Sequence, residues 1–79
     1  MKILNLYDVV RVVKIVRPIE EYDGWQINKR DPQIGDTGTF IELLHAPNLP
    51  DLYVVELTGP DGIPIWLSEF LIDEIEPIL

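Results

Sequence analysis

The chain has 79 residues, of which 47% are hydrophobic and 25% charged, a length and balance that fit one globular domain and exclude both a disordered tail and a second core. Its formal net charge of −8 argues against a nucleic-acid backbone or an anionic membrane as the main partner. With no Cys, one His and one Ser, thiolate metal sites are excluded and the usual nucleophilic triads have almost nothing to draw on.

The N-terminal residues do not resemble a secretory signal, because Asn5, Asp8, Arg11 and Lys14 interrupt the apolar run. No stretch approaches the roughly 18 apolar residues of a membrane span. A cytoplasmic protein without a membrane partner is therefore the expectation. Val, Ile and Leu together supply 28 residues and Ala only one, which is the vocabulary of β-strands.

Residues 8–17 (DVVRVVKIVR) are predicted as the first strand, apolar on both faces, with Pro18 ending it. Residues 18–34 form a long polar connection that holds Tyr22 and Trp25 and has room for a short helical turn. Gly35 to Thr39 (GDTGT) leads into a second strand running to Leu44. Its two glycines read as a turn and a place where strands approach closely, since a strand follows and not the helix that a phosphate loop needs. A Pro-rich loop over 45–51 carries the single His45, read as a loop residue. Residues 52–58 give the third strand, with Tyr53, Val55 and Leu57 on one face. Gly59 to Gly62 (GPDG) is the strongest turn signal in the chain. Residues 63–70 form the fourth strand, with Trp66 opposite Ile63, Ile65 and Leu67, so that one of these faces is outward or covered by the long loop. A single 3₁₀ turn over 71–74 and a short last strand over 75–78 complete the chain. The expected fold is all-β: a small five-stranded barrel, closed or half-closed, with a long first loop.

Asp8-Val9-Val10, the run from Gly35 to Glu42 (GDTGTFIE), Tyr53 to Leu57 (YVVEL) and Asp73 to Pro77 (DEIEP) together resemble SH3-like barrels. The Gly-Asp-x-Gly-Thr run is similar to the C-terminal barrel of nitrile hydratase beta subunits. The order and spacing of all four segments resemble an uncharacterised bacterial family of short acidic proteins, over about residues 8–78. The loops at 18–34 and 45–51 look longer than in that family. The resemblance implies a fold, the SH3-like barrel, and no activity.

Charge divides the chain unevenly. Residues 1–30 carry +2 and residues 31–79 carry −10. The acids Glu69, Asp73, Glu74 and Glu76 lack the spacing of a calcium loop and read as a solvated rim. No catalytic residue, metal or cofactor is expected. The expected role is a non-catalytic protein–protein interaction or accessory module. Its partner-binding surface would be the long first loop, through Tyr22 and Trp25 with Glu20, Glu21 and Asp23, joined by Trp66. Aromatic side chains dominate such interfaces. Removing both loop aromatics should then abolish binding and leave the fold intact, unless Trp25 folds back to cap the barrel. Two alternatives stand beside this reading: an acidic antitoxin- or immunity-like inhibitor of a basic protein, and an accessory subunit of a larger enzyme. Self-association through the doubly apolar first strand is open to all three.

Overall fold

The computed structural model describes residues 3–78. Five strands, β1 (Val9–Val12), β2 (Thr37–Leu44), β3 (Leu52–Thr58), β4 (Pro64–Phe70) and β5 (Ile75–Pro77), form one antiparallel sheet in the order β4-β3-β2-β1-β5. Two 3₁₀ turns, η1 (Ile19–Tyr22) and η2 (Ile72–Glu74), lie in the first and last connections. No helix of the described residues is long and apolar enough to cross a membrane. The strands pair as an open sheet with β4 and β5 at its edges, where a closed or half-closed barrel was expected.

The last three strands, the GPDG turn and the 3₁₀ turn fall within a residue or two of their predicted places. The turn closes through Gly62 N–H to Gly59 O at 3.0 Å and Gly59 N–H to Ile63 O at 2.9 Å. Gly62 sits at φ +79°, where a side chain would be strained. Gly38 is a packing glycine: a Cβ there would stand 2.7 Å from the Glu56 carbonyl oxygen. That is the close approach anticipated for the GDTGT run.

The first strand is much shorter than the predicted ten residues. Only Val9–Val12 pair, with Val10 and Val12 facing inward. Beyond Val12 the amides of Val13 and Lys14 both donate to the Glu74 carbonyl, at 2.7 and 3.3 Å. The chain therefore turns onto η2 and leaves the ladder. A run of valines without a clean period cannot report that event, because its cause lies at the other end of the sequence.

Val10, Val12, Tyr22, Phe40, Val55, Trp66, Phe70 and Ile75 make the core. Its aromatic centre is a chain of rings, with Tyr22 to Phe70 at 5.4 Å and Trp66 to Phe70 at 5.7 Å between centroids. A register shift between Phe40 and Glu42 marks a bulge in β2, after which Leu43 pairs with Tyr53.

The long connection over 13–36 acts as a strap along the β4 edge. Lys29 N–H donates to Ile65 O at 2.8 Å, and Leu67 N–H donates to the Asn28 side-chain oxygen at 2.9 Å. Arg17 Nη2 donates to Glu69 O. Alternate residues of β4 are thus occupied much as a sixth strand would occupy them, which protects an edge otherwise open to other chains.

Candidate interaction surface

The six residues expected at the partner surface separate into two groups. Tyr22 and Trp66 are fully buried, and this corrects their placement on the surface. Tyr22 enters the core because its hydroxyl has a partner there. It donates to the Glu74 carboxylate and accepts from Val16 N–H and Arg17 N–H at 3.2 and 3.3 Å. The Arg17 guanidinium lies 4.5 Å from the centre of its ring. Glu74, itself fully buried, also accepts from Val16 N–H and Leu71 N–H and faces Arg17 Nη2 at 3.5 Å. Burial, and then the bond to the Glu74 carboxylate, raise the Tyr22 hydroxyl above its ordinary pKa.

Trp66 is inward because its indole N–H reaches Asp36 Oδ2 at 2.9 Å. Arg30 grips the same carboxylate with two bonds, at 2.8 and 3.1 Å, and Gln33 N–H adds a third donor. Burial pushes the Asp36 carboxyl up, but Arg30 and these donors outweigh it and hold the carboxyl below its usual range. The same bond raises Arg30 above its own usual value.

The other four remain at the surface to different degrees. Glu20 and Glu21 are exposed on η1. Asp23 is half-buried because its carboxylate accepts from Ile27 N–H and Asn28 N–H at 3.0 and 3.1 Å. Trp25 is 43% exposed. The two loop aromatics therefore have opposite fates, and a Tyr22→Ala change would remove a core ring. The double alanine variant is therefore expected to lose core packing as well as any binding, where an intact fold was expected from the sequence.

The charge halves are interleaved because β1 lies beside β5. Arg11 meets Glu76 at 3.6 Å, Arg17 meets Glu74 and Arg30 meets Asp36. Three of the six cations of residues 1–30 are thus paired with acids from residues 31–79. Carboxylates without a cation then dominate elsewhere. Glu42 and Glu69 flank Val54 across three strands, and Glu56 lies two residues along on the same face.

Two grooves that sequence reasoning missed share one residue, Tyr53. The first, about 360 Å³, is lined by Leu4, Asn5, Leu6, Phe40, Glu42, Leu43 and Tyr53. The second, about 400 Å³, is lined by Pro50, Asp51, Tyr53, Leu71, Ile72 and Asp73. The Tyr53 ring is fixed between them by packing against Phe40, 5.3 Å away. Both grooves have apolar walls and carboxylates at the rim, and no Lys or Arg lines either. Among the described residues Leu6, Leu43, Leu44 and Leu49 are exposed near this end of the sheet or on its hairpin. The sequence did carry a signal for it: Leu43-Leu44 breaks the alternation of β2, and Leu6-Tyr7 precedes the first strand with nothing to bury it.

Comparison of the chain with protein-family models, with curated proteins and with solved structures finds no match.

Proposed function

We propose that the chain is a small non-catalytic interaction module whose working surface is the pair of grooves either side of Tyr53. Its partner on this reading is an extended segment of a basic protein. The observation that carries it is the combination of two apolar grooves either side of Tyr53 with Glu42, Asp51 and Asp73 among their lining residues and no Lys or Arg among them, Asp51 being held by His45 Nδ1 at 2.6 Å. Apolar walls supply affinity, and a one-signed rim selects and steers the partner. Trp25, with Glu20 and Glu21, is a second exposed feature and the natural comparison surface.

The SH3-like reading of the fold belongs with this proposal. It is supported by the meander order, the long first connection, the tight third hairpin and the 3₁₀ turn before the last strand. The strap along β4 serves the purpose that barrel closure would serve.

The inhibitor reading is favoured by a different observation, the Glu42, Glu56 and Glu69 carboxylates around Val54 on the outer sheet face. Capture from the host lysate at low and high salt separates the two. Wild type should retain one stoichiometric partner, partly kept at high salt, and Leu43→Lys with Asp73→Lys should lose it. Trp25→Ala should retain it. Retention that ignores the groove substitutions and vanishes with salt or with Glu56→Lys would replace the groove reading with the inhibitor one.

A further inference from the structure

Strand β2 outruns its neighbour. β1 pairs with Thr37, Gly38 and Thr39. Beyond them Phe40 donates to Asp8 O at 2.9 Å and accepts from Tyr7 N–H at 2.6 Å. The chain before Tyr7 then turns away, closed by Asp8 N–H to Asn5 O at 3.0 Å. β2 continues to Leu44 with β3 on one side and no backbone hydrogen bond of the described residues on the other. The direction of its backbone groups follows from the register. Phe40 pairs with Val55, and the next residue of β3 on that face, Tyr53, pairs with Leu43. Bonded and open pairs alternate along an antiparallel ladder. Phe40 turns both its groups away from β3, so Leu43 does the same and presents an open N–H and C=O.

This open stretch is one wall of the first groove. Leu4 and Leu6 line it from the N-terminal segment, and Phe40, Leu43 and Tyr53 from the sheet. The gap therefore lies where a further strand beside β2 would run. The protein blunts its other edges. The strap covers β4, and β5 is three residues long and ends in Pro77. At the β2 edge the guard is charge. Glu42 pairs with Val54 and so lies on the face opposite Leu43, which it shares with Glu56 and Glu69. It is exposed and forms no ion pair among the described residues. A carboxylate beside an open edge repels a second copy of a chain with net charge −8 and admits a cationic strand.

We propose that the first groove takes a partner segment by strand addition, paired antiparallel to β2 at Leu43, with apolar and basic side chains in alternation. The inference rests on the interaction-module reading and names how its first groove holds the segment. The partner residue opposite Leu43 exchanges two backbone hydrogen bonds with it and turns an apolar side chain to the face of Leu43, Tyr53 and Phe40. Its neighbours turn to the other face, and the one opposite Glu42 is lysine or arginine. Main-chain bonds supply affinity, and the unlike chemistry of the two faces selects the alternation.

The test is a chemical-shift titration of the isotopically labelled full chain with acetyl-Val-Lys-Val-Lys-Val-amide, whose central valine is placed to meet Leu43. Two control peptides carry either N-methylation of that valine or glutamate for both lysines. The parent peptide should move the amides of Leu6, Glu42 and Leu43 and slow hydrogen exchange at Leu43. N-methylation removes one backbone donor and should weaken binding about tenfold, and the glutamate peptide should bind more weakly still. Leu43→Pro removes the open N–H and should lose the peptide while keeping a thermal midpoint close to that of wild type. Equal binding of the parent and N-methyl peptides would overturn strand addition and leave the interaction module standing. Shifts confined to Leu71, Ile72 and Asp73 would do the same. Equal binding of the glutamate peptide would overturn the choice of a basic segment. Protection of Leu43 that grows with protein concentration in the absence of peptide would make a second copy the occupant and overturn the proposal. No shifts with any peptide would remove both the strand addition and the basic-segment reading.

Discussion

Glu74 has no exposed surface, yet its carboxylate is bonded to the Tyr22 hydroxyl and two backbone amides and faces Arg17. A buried charge is tolerable only with such a full set of partners. Glu74→Ala would strand Arg17 and the Tyr22 hydroxyl, and should cost about 3–5 kcal/mol. Glu74→Gln, which keeps acceptors but not charge, should cost less. Tyr22→Phe leaves the carboxylate one donor short, at roughly 1–3 kcal/mol. Denaturant midpoints of the three variants give this ranking directly, and equal losses for Ala and Gln would refute the role of the hydrogen bonds. The titration of two residues sets a pH window. Tyr22 has a raised folded pKa, so its contribution is complete below the unfolded value near ~10 and is lost as pH rises beyond it. Asp36 has a lowered folded pKa, so its contribution is present above the unfolded value near ~3.9 and is lost as pH falls below it. Stability measured against pH should lose its steepest alkaline fall in Tyr22→Phe and part of its acid fall in Asp36→Asn.

At the scale of elements, the strap is the feature on which the sheet edge depends. Asn28 joins three groups, accepting from Leu67 N–H and donating to Tyr22 O and Ser68 Oγ at 3.2 and 3.3 Å. Asn28→Ala should therefore destabilise by about 1–3 kcal/mol. It should also speed hydrogen exchange at the Leu67 and Lys29 amides more than at the Val55 amide in the sheet centre. Uniform acceleration at all three would mean that the strap opens only with the whole sheet. Strands β3 and β4 were legible because alternation and Gly-rich turns bounded them. The end of β1 was not, because the carbonyl that draws Val13 and Lys14 away belongs to Glu74. The fates of Tyr22 and Trp25 were equally hidden. Both are loop aromatics among acids, and only the tertiary partner of the Tyr22 hydroxyl sends one inward. Trp66 was ambiguous because both faces of β4 are apolar. Asp36, remote in sequence, resolves it by accepting from the indole.

Charge acts over the whole molecule, whose shortest dimension is 19 Å. At 0.1 M ionic strength the screening length is about 10 Å, so carboxylates on one face interact across much of the sheet. With a net charge of −8, the folded state concentrates repulsion that the unfolded chain disperses. Glu42, Glu56 and Glu69 are the sharpest instance, gathered around Val54 on three neighbouring strands. Added salt should consequently raise the thermal midpoint of the free protein, and Glu56→Gln should reduce that gain. The same salt should weaken capture of a basic segment, because the field that strains the fold is the one that draws the partner. The two responses have opposite signs and one cause. Calorimetry of the free chain and binding measurements over one salt series compare them. A midpoint that falls with salt would show that the pairs Arg11–Glu76, Arg17–Glu74 and Arg30–Asp36 outweigh the unpaired acids, and the excess negative charge would then lose its place as the selector of the partner.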